Sequence, residues 1–424
     1  MMIERTVLNR RTLLAAAALG GLGCGPATGG TMKGFTDQGL ARLETTLKDH
    51  VARGSAPGLV ALVSRGGETH AFALGAKALD GKDPVRRDTM FRLASMTKPI
   101  TATAVMMLVE EGKLRLDEPV DRLLPELASR RVLKRIDGPL DETVPAVRPI
   151  TVEDLLTFRL GWGIVFSDQP FPILKAVEDL PGFGMPNPDS PLTFDAWMAR
   201  LSALPLMAQP GERWLYTVGS NVQGVLVARA SGQALPAFFQ DRILGPLGMT
   251  DSGFFAPPGK VSRLATGYMP QDGKLTLFDP PAGMYSRPPA FPAGDSGLVS
   301  TADDYAAFAR FLTSGRTAGG KRLLSEASLK AMRTDHLTPA QRAGGEDILG
   351  PARGWGYGMG VTVEPKPGWA APGAYGWDGG FGTSFFNDPA QGLTAILLTQ
   401  RVFDGPDPPM LHKDFWKGAY VALA

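Results

Sequence analysis

A serine and a lysine in this sequence are spaced so that they could act together as nucleophile and base. Ser95 and Lys98 are three residues apart, and no other serine in the chain has a lysine three positions later. On a helix, residues at this spacing lie on one face and within reach of each other. A neutral lysine can accept the serine proton, so the hydroxyl becomes a nucleophile without help from a histidine. The pair alone is a weak motif, and its context decides whether it predicts acyl transfer.

The segments around this pair predict the elements that hold it. Ser95 opens a predicted helix that reaches about Glu111 and is apolar almost all round, as in a helix inside a core. Upstream, residues 37–51 have helical periodicity, and two strand-like runs at 58–64 and 69–74 flank a glycine-containing turn. The pair is therefore predicted where a strand region gives way to a buried helix.

Helices and long loops follow before strands return. Further helices are predicted at 152–158, 194–203, 220–230, 236–243, 302–312, 326–332 and 410–422, and strands at 357–364, 375–387 and 393–401. Two loops, 170–191 and 257–292, are longer than ordinary connectors and are typical of a binding wall or lid. Strands at both ends with helices between them predict an α/β fold. The predicted division is a sheet domain at 31–94 plus 300–424, a mostly helical domain at 95–299, and an active site between the two.

Three separated segments share the order and spacing of motifs that occur together in one protein family. They are 91–99 (FRLASMTKP), 214–221 (WLYTVGSN) and 377–383 (WDGGFGT), with weaker support at 151–157 and 297–305. They resemble the nucleophile, tyrosine-bearing and active-site strand motifs of serine β-lactamase-like, penicillin-recognising hydrolases. The resemblance covers the chain from about residue 40 to its end. It implies an antiparallel sheet flanked by helices, with a mostly helical inserted domain.

The resemblance also implies a role for each residue of the site. Ser95 would attack a carbonyl carbon, and Lys98 would be the base if burial or a nearby cation lowered its pKa. Tyr216 would relay the proton between the nucleophile and the leaving group. Backbone N–H groups of Ser95 and Gly380 would hold the oxyanion. No metal and no organic cofactor are implied.

Departures from the family motifs indicate a branch of the family. Trp377 stands where β-lactamases carry a lysine that attracts the substrate carboxylate, and Val218 stands where an asparagine contacts the lactam amide. Both changes favour an apolar pocket. With these replacements the motifs resemble those of the family VIII carboxylesterases, so a small-molecule ester is the expected substrate. Trp377, Asp378, Gly379 and Val218 are the predicted substrate-binding residues. Phe158 replaces a histidine common in the family, and we interpret that change as structural.

Other functions remain open at this point. The alternatives on the same fold are a β-lactamase, a D-amino-acid peptidase, or a non-catalytic protein that binds cell-wall peptide or a β-lactam. Gly294–Gly297 is similar to the nucleophile segment of trypsin-like proteases, but the upstream histidines lack that family's flanking residues. The chain also has no G-x-S-x-G motif, which disfavours an α/β-hydrolase.

Composition and the N-terminal segment bear on partners and location. The net charge of +2 and the absence of a basic run argue against nucleic acid as a partner. Paired arginines at 10–11, followed by a short apolar run, predict that residues 1–30 are an export signal and spacer, and hence a periplasmic location. The apolar run is too short to span a bilayer. Cys24 is the only cysteine, so no disulfide can form within the chain; lipid anchoring at Cys24 and plain cleavage of the signal both remain open.

Overall fold

The computed structural model of the protein describes residues 34–424, with the exception of 168, 170, 367 and 369. The predicted export signal and Cys24 lie outside these described residues. Among the helices of the described part, none is both long and apolar enough to cross a lipid bilayer.

A seven-stranded sheet joins strands from opposite ends of the described chain. The strands are β1 (Gly58–Arg65), β2 (Glu68–Gly75), β3 (Phe91–Arg92), β4 (Arg131–Leu133), β5 (Thr143–Pro145), β6 (Gly267–Gln271), β7 (Lys274–Asp279), β8 (Val299–Ser300), β9 (Arg353–Trp355), β10 (Gly360–Thr362), β11 (Tyr375–Gly379), β12 (Thr383–Asp388) and β13 (Leu393–Thr399). The sheet has the order β2-β1-β13-β12-β11-β10-β9, and all of its neighbouring strands are antiparallel. The short pairs β3–β8, β4–β5 and β6–β7 lie outside it.

Most of the helices lie between β3 and β9 in the chain. The helices are α1 (Asp37–Ala52), α2 (Lys98–Glu110), α3 (Val152–Leu156), α4 (Pro172–Val177), α5 (Phe194–Ser202), α6 (Val218–Ser231), α7 (Leu235–Phe239), α8 (Gly245–Leu247), α9 (Ala302–Ser314), α10 (Glu326–Met332), α11 (Pro339–Gly344), α12 (Glu346–Leu349) and α13 (Met410–Val421). Side-chain caps begin several of them; the Thr301 hydroxyl, for example, accepts the Asp304 N–H at the start of α9.

Each face of the sheet packs against a different layer because successive strand residues point to opposite sides. On β1, Leu59, Ala61 and Val63 belong to a core cluster with residues of α1 and α13. Val60 and Leu62 instead belong to the main core cluster, which also contains residues of α2, α6 and α9. The sheet is therefore buried on both faces at β1, and the nucleophile segment lies on the side of the main core.

The structure corrects the predicted start of the nucleophile helix. Ser95 lies in a short 3₁₀ turn, Ala94–Thr97, and the α-helix begins only at Lys98. Pro99 falls in the first turn of α2, where its missing N–H costs no hydrogen bond. Every residue of α2 from Lys98 to Leu108 is buried, which explains why the helix is apolar almost all round.

The two long predicted loops contain regular structure. The prediction of a loop at 257–292 was wrong over β6 and β7, which form a hairpin. Asp272 and Gly273 both have positive φ, at 50° and 75°, and an Asp-Gly pair is a strong signal for a two-residue hairpin turn. The loop at 170–191 contains α4. The predicted strand at 375–387 is two strands, β11 and β12, and the strand at 357–364 is shortened to β10.

Other elements agree closely with the sequence prediction. The hairpin β1–β2, the helix α1, the last strand and the terminal helix α13 are confirmed to within about two residues at each end. The described residues from Gly34 to Ala424 belong to one compact unit. The predicted division of this unit into a sheet domain and a helical domain stays a prediction.

Candidate active site

The nucleophile turn connects β3 to α2 and is held from both sides. The Leu93 N–H donates to the Leu298 carbonyl at 2.8 Å, and the Leu298 N–H donates to the Thr97 hydroxyl at 3.1 Å. Between these anchors, Ala94 has a φ of 45°, a left-handed conformation that costs a non-glycine residue free energy. The turn directs Ser95, which is partly exposed, away from its buried neighbours.

Lys98 contacts Ser95 from inside the core. Its Nζ lies 2.8 Å from Ser95 Oγ and donates to the Asp295 carbonyl oxygen at 2.9 Å, and the side chain is fully buried. Burial lowers the pKa of Lys98 to about 8, and the negative charge of Asp295 acts in the opposite direction. A neutral amine is therefore accessible near physiological pH, as a base acting on the Ser95 hydroxyl requires.

Tyr216 brings a phenol to the same point. Its hydroxyl is hydrogen-bonded to Ser95 and accepts the Trp377 indole N–H at 2.6 Å. Lys98 Nζ lies 4.6 Å from the centre of the phenol ring. Burial raises the pKa of Tyr216 well above its ordinary value, so the phenol is neutral and can donate its proton. The structure thus brings together Ser95, Lys98 and Tyr216, and it shifts the pKa of the amine and that of the phenol in opposite directions.

Two glycines at the end of β11 serve different purposes. A Cβ at Gly379 would lie 2.1 Å from the Leu93 carbonyl oxygen and 2.2 Å from Thr383 Oγ1, so this strand can approach the nucleophile segment only with glycine here. Nothing lies within 4 Å of a Cβ at Gly380. Among the described residues, no group accepts a hydrogen bond from the backbone N–H of Ser95 or Gly380. Both of these predicted oxyanion donors are therefore free to bind a ligand.

The segment after β7 supplies a residue that the sequence reasoning missed. The Asp295 side chain is 5% exposed and accepts hydrogen bonds from Thr217 Oγ1 at 3.0 Å and Ser296 Oγ at 2.7 Å. Its backbone carbonyl accepts from Lys98 and its N–H donates to Asn221 Oδ1. Asp295 therefore contacts both the lysine and the segment that carries the tyrosine. The sequence carries a signal here, because 294–297 is similar to the nucleophile segment of trypsin-like proteases.

The backbone directly after Tyr216 is strained. Thr217 has φ 82° and ψ −50°, and the Val218 N–H bonds to the Tyr216 carbonyl at 3.3 Å. This is a γ-turn of the rare, strained kind. The hydrogen bond from Thr217 to Asp295 holds the turn in place. Strained backbone thus flanks both Ser95 and Tyr216, a distribution typical of functional sites.

Comparison with known proteins gives the site its context. A family model described as Beta-lactamase matches residues 43–414, which is most of the chain. The chain belongs to the beta-lactamase family. The resemblance and the fold class predicted from the sequence are confirmed, as is the prediction of a serine hydrolase.

Individual relatives match along most of their length. An uncharacterised protein of Mycobacterium tuberculosis is 40% identical over 340 residues, which cover 78% of this chain and 82% of the relative. Esterase EstB of Burkholderia gladioli is 33% identical over 390 residues, covering 87% of this chain and 92% of EstB. The solved structure of EstCE1, a hydrolase with promiscuous acyltransferase activity, has a TM-score of 0.75 at 25% identity and covers 91% of this chain and 99% of that one.

In this member of the beta-lactamase family, Trp377 does more than pack. Its place in the third motif predicts a wall of an apolar pocket, but its indole N–H donates to the Tyr216 oxygen, so the side chain also holds the phenol. Tyr216 further packs against Trp214, Trp355 and Phe158 at ring-centre distances of 5.6, 6.2 and 5.8 Å. Phe158 is fully buried and has a φ of 57°, which agrees with its structural interpretation.

Two predicted substrate-binding residues point elsewhere. Asp378 follows Trp377 on β11, so its side chain lies on the opposite face of the strand. There its carboxylate accepts from Ser384 Oγ at 2.6 Å and Arg353 Nη1 at 3.1 Å. Val218 is fully buried in the first turn of α6. Neither side chain is presented to a substrate beside Ser95 in this structure.

No metal site accompanies these groups in the part of the chain that the structure describes. Within those residues, no three or more His, Cys, Asp or Glu side chains are placed to hold a metal ion. The site consists of a hydroxyl, an amine, a phenol and two free N–H groups.

Proposed function

We propose that the protein is a carboxylesterase that acts through an acyl-enzyme on Ser95. The observation that carries the proposal is that Ser95 Oγ is in contact with both the Lys98 amine and the Tyr216 phenol. A protein that only binds a ligand has no need of a buried amine whose pKa is lowered to about 8. The similarity to esterase EstB supports esters as substrates.

The proposed reaction has two halves. In the first, neutral Lys98 accepts the Ser95 proton while Oγ forms a bond to the ester carbonyl carbon, and the N–H groups of Ser95 and Gly380 bind the oxyanion. Tyr216 donates its proton to the oxygen of the leaving alcohol as the bond between that oxygen and the acyl carbon breaks. The proton that Lys98 accepted then passes to Tyr216 and restores the phenol. In the second half, water loses a proton to Lys98 as its oxygen forms a bond to the acyl carbon. The bond between that carbon and Ser95 Oγ then breaks, the proton passes to Oγ, and the carboxylic acid leaves.

The walls of the site favour esters over β-lactams. Trp377 replaces the cation that would attract a lactam carboxylate, and its N–H is used by Tyr216. Arg353, the cation 5.1 Å from the Trp377 ring, is paired with Asp378 and buried. We therefore expect substrates with an uncharged acyl group. The rate of nitrocefin hydrolysis should be low compared with the rate of hydrolysis of a short-chain ester.

Acylation can be observed directly. The purified protein is mixed with p-nitrophenyl butyrate, and intact-mass spectrometry after rapid acid quench should show the mass of one butyryl group, located on Ser95 by peptide mapping. Ser95→Ala is the control and should show neither the adduct nor turnover while keeping its melting temperature. Turnover in Ser95→Ala, or a folded wild type that neither turns over nor acylates, would overturn the proposal, and the second result would favour a non-catalytic binder.

We also propose that the protein is exported through the signal at residues 1–30. The paired arginines and the short apolar run support this location. Fractionation of cells that express the full chain should place the processed protein in the periplasm or on a membrane. Mass analysis of the new N-terminus then separates lipidation of Cys24 from plain cleavage, and an unprocessed protein in the cytoplasm would refute export.

A further inference from the structure

A serine, a histidine and an aspartate lie together at the end of α1. Ser55 Oγ lies 3.0 Å from His50 Nδ1, and His50 Nε2 lies 2.9 Å from Asp414 Oδ2. His50 is only 2% exposed, whereas Ser55 is partly exposed. At β1, α1 and α13 pack against the face of the sheet opposite the main core, on whose side the nucleophile segment lies. The three side chains are therefore a second cluster of hydroxyl, imidazole and carboxylate, separate from Ser95.

The chain positions the members of this cluster in two ways. His50 is in the last turn of α1, and the Ser55 N–H donates to the His50 carbonyl at 2.9 Å. Between them, Gly54 has a φ of 75°, the left-handed conformation with which many helices end. Asp414 comes from α13, which packs against α1 in the same core cluster. The end of one helix thus places the hydroxyl beside the ring, and the packing of a second helix adds the carboxylate.

Arg53 determines which nitrogen of the His50 ring carries the hydrogen. Its Nη2 lies 2.9 Å from Nδ1, and a guanidinium can only donate. Nδ1 therefore has the lone pair, and Nε2 carries the hydrogen that is donated to Asp414. A base acting on Ser55 requires this tautomer, with the carboxylate orienting the ring. Arg53 and the Ser55 hydroxyl, however, share the single lone pair of Nδ1.

Two adjoining cavities lie beside Ser55. Their volumes are about 240 and 220 Å³, and Ser55 lines both of them. The charged residues that line the larger cavity are Arg53, Lys274, Arg401, Asp272 and Asp404. Among these described residues the cations outnumber the carboxylates, so the larger cavity favours a small anionic molecule.

We propose that Ser55 is a second nucleophile, which accepts the acyl group of a small anionic acyl donor, an acyl phosphate. The phosphate group attracts the guanidinium of Arg53, which is exposed and can leave the ring. The lone pair of Nδ1 is then available to the Ser55 hydroxyl alone. An uncharged ester leaves Arg53 on the ring and is therefore not a donor for this site.

The proposed transfer forms an ester on Ser55. His50 Nδ1 accepts the Ser55 proton as Oγ forms a bond to the carbonyl carbon of the acyl phosphate. The bond between that carbon and the phosphate oxygen then breaks, and its electron pair leaves with the phosphate, which takes the proton from His50. The products are acylated Ser55 and inorganic phosphate, and no further reactant is needed.

Acetyl phosphate, added to the full chain with Ser95→Ala, tests the proposal without a contribution from Ser95. Peptide mapping by mass spectrometry follows acetylation of Ser55 over time and, in the same sample, acetylation of Ser64. Ser64 is the internal control because it is also partly exposed but bonds to the Glu68 carbonyl and the Thr69 hydroxyl instead of a histidine. We expect Ser55 to be acetylated about a hundredfold faster than Ser64, a gain typical of general base catalysis.

Two variants on the Ser95→Ala background separate a reactive cluster from a structural one. His50→Gln removes the base and should lower the rate at Ser55 by about a hundredfold. Asp414→Asn keeps the base but removes the carboxylate that orients it, and should lower the rate by at least about tenfold. Asp414 is partly exposed, so this variant tests the proposal even if His50→Gln fails to fold. Circular dichroism verifies the fold of each variant.

The uncharged ester p-nitrophenyl acetate is the comparison donor, and it should label Ser55 no faster than Ser64. Equal rates at Ser55 with this ester and with acetyl phosphate would overturn the assignment of an anionic donor. Acetylation of Ser55 by acetyl phosphate at only the Ser64 rate, or an unchanged rate at Ser55 in a folded His50 or Asp414 variant, would overturn the proposal as a whole.

Discussion

The two sides of the active site are built in different ways. Ser95 and Lys98 lie within a single turn, and their contact follows from a spacing of three residues. Tyr216 and Trp377 are brought to the same point from a strained turn and from a strand of the sheet, and Asp295, from yet another segment, fixes the turn. The nucleophile side thus depends on local geometry, whereas the phenol side depends on long-range contacts that can be removed one at a time.

The largest effect is expected on the nucleophile side. Lys98→Met keeps the volume of the buried side chain but removes the amine, so turnover of p-nitrophenyl butyrate should fall by about a thousandfold or more. Steady-state kinetics gives kcat and kcat/KM, and circular dichroism verifies the fold. If this variant keeps a near-normal rate, Lys98 is not the base.

Tyr216→Phe tests the phenol side with a smaller expected loss. The ring and its packing against Trp214 and Trp355 are kept, and only the hydroxyl that bonds to Ser95 and Trp377 is removed. We expect kcat to fall by about a hundredfold with little change in KM, because proton transfer contributes mainly to the transition state. A loss confined to KM would show that the hydroxyl only binds substrate.

Asp295→Asn tests whether one residue couples the two sides. The Asp295 charge raises the pKa of Lys98, so its removal should lower that pKa and move the rising limb of the pH–rate profile to lower pH. We also expect kcat to fall by about tenfold, since the turn at Thr217 loses its charged anchor. Ser296→Ala is the control: it removes one hydrogen bond to Asp295 without a charge and should leave the limb in place. An unshifted limb in Asp295→Asn would mean that the residue acts only as packing.

The smallest and most local effect is expected from substitutions at two neighbouring glycines, measured by melting temperature. Gly379→Ala would force a Cβ to within 2.1 Å of the Leu93 carbonyl oxygen and should destabilise the fold by about 1–3 kcal/mol. Gly380→Ala places its Cβ in open space and should change the melting temperature little. Equal stability of the two variants would contradict the close packing of β11 against the nucleophile segment.

The same division explains what the sequence could predict. Ser95, Lys98 and Tyr216 can be predicted because their motifs are local. The β1–β2 hairpin and α1 can be predicted from periodicity and turn residues. Asp295 was missed because its contacts join residues 78 and 197 positions apart, a pairing that no local pattern encodes.

Asp378 and Trp377 show a second limit of sequence-based prediction, which concerns the orientation of side chains on a strand. Alternation along a strand separates their side chains onto opposite faces, but the motif alone did not show which face meets the site. The hydrogen bond from Trp377 to Tyr216 likewise depends on the packing of β11 against the segment that precedes α6.

The pH dependence of kcat/KM tests the central claim most directly. Because Lys98 must be neutral to accept the Ser95 proton, kcat/KM should rise as the pH passes about 8, the lowered pKa of Lys98. In Lys98→Met the residual rate should lack this limb. A limb near pH ~6.5, where an ordinary histidine titrates, or a limb that persists in Lys98→Met, would contradict the account.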